Sequence, residues 1–160
     1  MSGIHGTTMA NIESLIRGSE KITNIFGCWP SFHDAEVLDL HFWRGHIDAG
    51  KGVYDFPVLT LKIHLWQLAE VNSQGFLVLK HHTLTTLRFA NVEQDFNMLG
   101  FNHQNAILEL SITSVERTRI PSPYFSVEIV PAFGIGASFH CAQIEVVDAT
   151  PCEEDGSARP

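Results

Sequence analysis

The chain has 160 residues, 44% of them apolar and 18% charged, with 10 Lys and Arg against 18 Asp and Glu for a formal charge of -8. That length suits one domain, the apolar fraction is too high for disorder, and no apolar run approaches the roughly 20 residues a bilayer crossing needs. The acidic balance argues against a protein that binds nucleic acid by neutralising phosphates, and the N-terminus lacks the basic flank and apolar stretch of a secretory signal.

Residues 1–11 read as a flexible lead. Ile12, Leu15, Ile16, Ile22, Ile25 and Phe26 then recur at helical spacing, interrupted at Gly18-Ser19. This predicts a short helix over 12–17 and a second over 20–26, with Ser19 as N-cap and Gly27 as the stop. After the Trp29-Pro30-Ser31 turn the period changes to two. Over 36–44, Val37, Asp39, His41 and Trp43 alternate with Leu38, Leu40 and Phe42, as in a half-buried strand. Residues 45–56 read as a loop, and Leu59, Leu61, Ile63 and Leu65 alternate with Thr60, Lys62, His64 and Trp66 in a second strand, paired antiparallel with the first. His41 and His64 fall on the polar faces of these strands, where solvated histidines are expected.

Further strands are predicted over 76–79, 83–92, 106–114, 124–130 and 138–147, with a polar loop at 100–105 and a turn or bulge around Gly134-Ile135-Gly136. The acidic residues 150–160 read as a disordered tail. Six to eight strands after one short helical segment predict an α+β domain over 12–149, a mainly antiparallel, curled sheet whose apolar face the N-terminal helix covers.

Few residues announce chemistry. Cys28, Cys141 and Cys152 are odd in number, widely spaced and without a CxxC pair, as expected of thiols in a reducing cytosol, with Cys152 the most exposed. No GxSxG, GxGxxG or P-loop is present. His33, Asp34 and Glu36 lie within four residues and, with distant histidines among the nine, offer one route to metal binding or acid–base chemistry. Adjacent side chains of an extended strand diverge, however, so His33 and Asp34 meet only if the chain turns there. The second polar cluster, Asn102-His103-Gln104-Asn105, reads either as a loop that satisfies its own backbone or as a recognition loop held by Leu99 and Phe101.

The block Trp29-Pro30-Ser31-Phe32-His33-Asp34-Ala35-Glu36-Val37 after a helix ending in Gly27 resembles the N-terminal signature of the bacterial Immunity protein 50 family. Leu87-Arg88-Phe89, Gly100-Phe101-Asn102 with Gln104-Asn105, and the stretch 139–147 are similar to the rest of its pattern, so the likeness spans roughly 22–147. It implies a non-enzymatic, cytoplasmic antidote that binds and neutralises a polymorphic toxin, with no cofactor and no catalytic residues to carry over. A basic nuclease is a plausible toxin, since an acidic protein is steered toward a cationic partner. His33, Asp34, Glu36, Asn102, Gln104 and Asn105 match the pattern, and Trp43 and Trp66, aromatic on polar strand faces, are added as candidate partner contacts. Two other readings stay open: a metal- or small-ligand-binding domain or enzyme, and a homo-oligomeric structural β-domain, exposed sheet edges making a homodimer reasonable in either case.

Overall fold

The computed structural model describes residues 11–119 and 123–160. All of the flexible lead expected over 1–11 except Asn11 lies outside the described residues. The helix α1 (Glu20–Phe26) forms where the spacing places it, burying Ile22 and Phe26 on one face. Gly27, at φ +79°, ends it in the left-handed conformation that glycine adopts without strain. Ser19 contributes no side-chain cap, and the expected first helix shrinks to a 3-10 turn at Ile12–Leu15.

Ten strands follow among the described residues. They are β1 (Glu36–Trp43), β2 (His46–Asp48), β3 (Val53–Asp55), β4 (Val58–Val71), β5 (Leu77–Ala90), β6 (Asn97–Leu99), β7 (Ile107–Ser114), β8 (Phe125–Pro131), β9 (Gly136–Cys141) and β10 (Gln143–Pro151). Instead of one curled sheet, they form two four-stranded sheets, ordered β1-β4-β5-β10 and β6-β9-β8-β7, with β2-β3 as a separate hairpin inside the stretch expected to be a loop. Every strand pair is antiparallel.

The two sheets share one core. Leu59, Leu61, Ile63, Leu65, Leu87 and Phe89 of the first meet Phe125, Val127, Ile129, Phe139 and Cys141 of the second in a single buried cluster. Phe89 stands edge-on to Phe139, with ring centres 5.2 Å apart, a favoured geometry for buried aromatics. The helix therefore does not cover the sheet's apolar face as expected. A seven-residue helix is too small for that task, and α1 instead packs along β10 and β5, where Lys21 Nζ donates to the carbonyls of Val146 (3.2 Å) and Val147 (2.8 Å).

Three further departures have local causes. A bulge between Val37 and Asp39 turns Leu38 to solvent, so Val37 shares a side with Leu40 and not with Asp39, His41 and Trp43. The single last strand expected over 138–147 is two strands in different sheets, broken at Ala142, whose N–H bonds to Ala90 O at 3.1 Å. The stretch 150–160 is not a disordered tail: β10 runs to Pro151, Cys152 is fully buried with its N–H on His82 O (2.9 Å), and the chain turns back to pair Cys152 with Ala158. Backbone bonding and one buried thiol outweigh the polar composition there. Consequently Cys28, not Cys152, is the exposed cysteine, while burial pushes the Cys141 thiol up to about 12.

Truncating Phe89 to Ala removes the ring that joins the two sheets. A loss of about 3–5 kcal/mol is expected, read from the shift of the urea unfolding midpoint; a loss below about 1 kcal/mol would contradict the shared core.

Candidate functional site

The two polar clusters of the sequence meet at one place. After Trp29 the chain turns through Phe32 (φ +58°) and Asp34 (φ +66°), left-handed conformations that Asp tolerates and Phe rarely adopts. The Phe32 ring is buried and packs on Trp29, with centres 5.5 Å apart, which holds it there. From this turn the Asp34 N–H donates to Ile107 O (2.9 Å), the Ile107 N–H to Ala35 O (2.8 Å) and the Val37 N–H to Asn105 O (2.9 Å). The start of β1 is thus tied to the start of β7, one sheet to the other.

Asn105 is the pin of this joint. Its Oδ1 accepts from the Asn102 N–H (2.8 Å), and its Nδ2 donates to Asn102 O (2.5 Å) and Val37 O (3.3 Å). Asn102 Oδ1 accepts from the Gln104 N–H (3.0 Å), and its Nδ2 donates to Gly100 O (2.6 Å). A third loop closes on them, the N–H groups of Ala132 (2.9 Å) and Phe133 (3.1 Å) both donating to Ala106 O. Gly134, at φ +73°, passes so close that a Cβ would stand 2.2 Å from Gln104 O, so only glycine fits.

The joint sorts the residues singled out in the sequence. Asn105 is 3% exposed and works inside the fold. Glu36 is half-buried, bridged to Ala106. His33 and Asp34 are exposed and do meet, Nδ1 to Oδ2 at 3.0 Å, because the chain turns at this point. Asn102 and Gln104 are exposed beside them in sequence-distant but bonded loops. Leu99 and Phe101 do not anchor the loop from within: they are exposed, as are Leu108 and Phe133. Sequence reading passed over Leu108 and Phe133, since exposure of an apolar residue follows from the joint and not from local pattern. The tryptophans lie elsewhere, Trp43 exposed at the end of β1 and Trp66 half-buried on β4.

Two other polar groupings are engaged by the fold. His64, expected in solvent, is 4% exposed, with its Nε2 3.1 Å from His82 Nδ1, Trp66 packed on both rings, and Gly156 against it. Burial and the His82 ring hold its pKa below the usual imidazole value, with Asp155 acting weakly against them. Glu93, Asp95 and His140 form the one group with metal-ligand spacing among the described residues, their ligand atoms within 4.8 Å of one another. Each is already occupied: Arg117 donates twice to Glu93 (2.9 and 3.1 Å), and His140 Nδ1 lies 2.5 Å from Asp95 Oδ2. Arg117 also covers the Tyr124 ring at 4.0 Å, and His140 stacks on that ring. The set His33, Asp34 and Glu36 does not gather into such a group.

The sequence profile described as Immunity protein 50 matches residues 18–152, from the residue before the α1 cap to the buried Cys152. The chain belongs to the Immunity protein 50 family. Searches of curated proteins and of solved structures returned no significant match. No helix among the described residues is long and apolar enough to cross a membrane. The family match spans all three loops of the joint, so the buried Asn105 and the exposed His33 and Asp34 all lie within it.

Asn105→Ala leaves the Val37 carbonyl and the Asn102 N–H without their side-chain partner and is expected to cost about 1–3 kcal/mol, against about 0.5 kcal/mol or less for the exposed His33→Ala; thermal unfolding of the two variants separates pin from display. For His64 the folded state holds its proton less tightly than the unfolded chain. Stability from this group is therefore complete above about pH 6.5 and is lost as the pH falls from there toward the lower folded value. Urea midpoints between pH 7.5 and 5 should decline more steeply in the wild type than in His64→Gln.

Proposed function

We propose that this Immunity protein 50 member is a non-enzymatic cytoplasmic antidote that neutralises a cognate bacterial toxin by binding it through the three-loop joint. The family match over residues 18–152 carries the reading. The geometry supports it: Phe101, Phe133, Leu99 and Leu108 present exposed apolar surface, and His33, Asp34, Asn102 and Gln104 stand in the same bonded loops. Exposed apolar and polar side chains side by side on a braced scaffold suit a protein-binding surface, since rigid loops lose little entropy on association. Glu36 and Asn105 act here as supports, and Trp43 is a further exposed contact on the other sheet.

The partner is a toxin domain of basic character, a nuclease being the natural class. The formal charge of -8 would speed its encounter with a cationic surface and make the rate fall with salt. Binding of this kind needs no metal and no cofactor.

The test is titration of the toxin encoded beside this chain with wild type, Phe133→Ala and Phe101→Ala, at low and moderate salt. At least a 10-fold loss of affinity for the variants, with unchanged thermal unfolding, is expected. Tight inhibition by both variants would remove the joint as the interface, and failure of the wild type to bind any toxin would remove the antidote itself.

A further inference from the structure

β4 and β5 are each 14 residues long, and their partners cover only part of them. β1 pairs with β4 between Val58 and His64, and β10 pairs with β5 between Thr83 and Ala90. Past a register shift at the level of Trp66, where His81 takes φ +56°, the two strands continue alone as a ribbon over 67–71 and 77–80. Its turn is well built: the Asn72 N–H donates to Phe76 O (2.8 Å), and Asn72 Oδ1 accepts from the N–H groups of Gln74 and Phe76, both at 2.9 Å.

Register assigns the ribbon two unlike faces. Leu68 stands opposite Leu79 and Val71 opposite Leu77 on one side, with Phe76 at the turn. Gln67 stands opposite Lys80 and Glu70 opposite Val78 on the other, the shift between Leu68 and Glu70 preserving the division. Four of the apolar residues are more than half exposed: Leu68 54%, Val71 58%, Phe76 66% and Leu77 64%. An isolated two-stranded ribbon is marginal in water, and an uncovered apolar face on one needs a cover.

We propose that a second copy of this chain covers it, two ribbons packing apolar face to apolar face about a twofold axis. Charge favours this occupant at this place. The molecule carries -8 overall, yet the ribbon's only Lys, Arg, Asp or Glu residues are Glu70 and Lys80, which cancel and sit on the opposite face. Two copies can meet here without the like-charge repulsion that opposes contact elsewhere, whereas nothing on this face attracts a cationic partner. The area is sufficient: the exposed side chains of two copies together offer roughly 1,000 Å², which with the flanking ribbon reaches the roughly 1,200 Å², counted over both partners, at which specific interfaces begin. A twofold contact requires only a self-complementary patch, and a flat aliphatic face is one.

The experiment is sedimentation equilibrium of wild type, Leu77→Glu and Leu68→Glu from about 1 to about 200 µM, with circular dichroism and thermal unfolding on each. Wild type should pass from monomer to dimer, while both variants stay monomeric with unchanged spectra and unfolding, since the residues changed are exposed. A wild type that remains monomeric throughout overturns the proposal, as does a dimer that persists in both variants. Toxin inhibition by the monomeric variants keeps this inference separate from the antidote reading. Retained inhibition is expected, and a monomeric wild type whose toxin affinity falls in Leu77→Glu would assign the ribbon to the toxin instead and overturn the dimer.

Discussion

The first sheet puts Leu59, Leu61, Ile63, Leu65, Leu87 and Phe89 on one side, and a surface that apolar must be removed from water for the chain to fold at all. One helix of seven residues cannot cover it. The second sheet does: the chain passes between the layers after β5 and again at Ala142, and the starts of β1 and β7 bond across them near Ala35 and Ile107. Wherever the chain crosses, backbone groups leave one ladder before they can join another, and each needs a partner. The most specific structure in the molecule is found where the two layers are tied to each other.

The joint between β1 and β7 is the richest example. Main-chain bonds from Asp34, Ile107 and Val37 stitch the layers, and the Asn105 amide satisfies what they leave over. Bracing and display are two consequences of the same arrangement. Loops that are tied at their bases must expose their tips, and the tips here are Phe101, Phe133, His33 and Asp34. Residues within the family match therefore divide into those that hold the joint and those that it leaves exposed.

At the end of the first sheet where Glu36 of β1 stands opposite His64 of β4 the constraint relaxes. β4 and β5 outrun their neighbours, and where they leave them His64, His82 and Trp66 pack together under the returning C-terminal segment. The buried His64 imidazole, hydrogen-bonded to half-buried His82, closes that end of the sheet. It also introduces a group whose protonation the fold resists. The ribbon beyond it belongs to the first sheet, while the three-loop joint draws its exposed aromatics from loops bordering the second.

Much of this was legible in the residues themselves. Alternation determined β1, β7 and β8 to within a position and β4 as far as Trp66, helical spacing and Gly27 determined α1, and the Immunity protein 50 likeness rested chiefly on a contiguous block of nine residues. These are local properties: period, turn chemistry and composition act between neighbours in the chain. Tertiary structure decided the rest. It alone made 138–147 two strands in two sheets, turned Leu38 outward through a bulge, buried His64 and Cys152, and joined the clusters around residues 33 and 104 into one place. Each of those outcomes depends on which distant segment supplies the next hydrogen bond or covers the next apolar face, and no window of sequence contains that information.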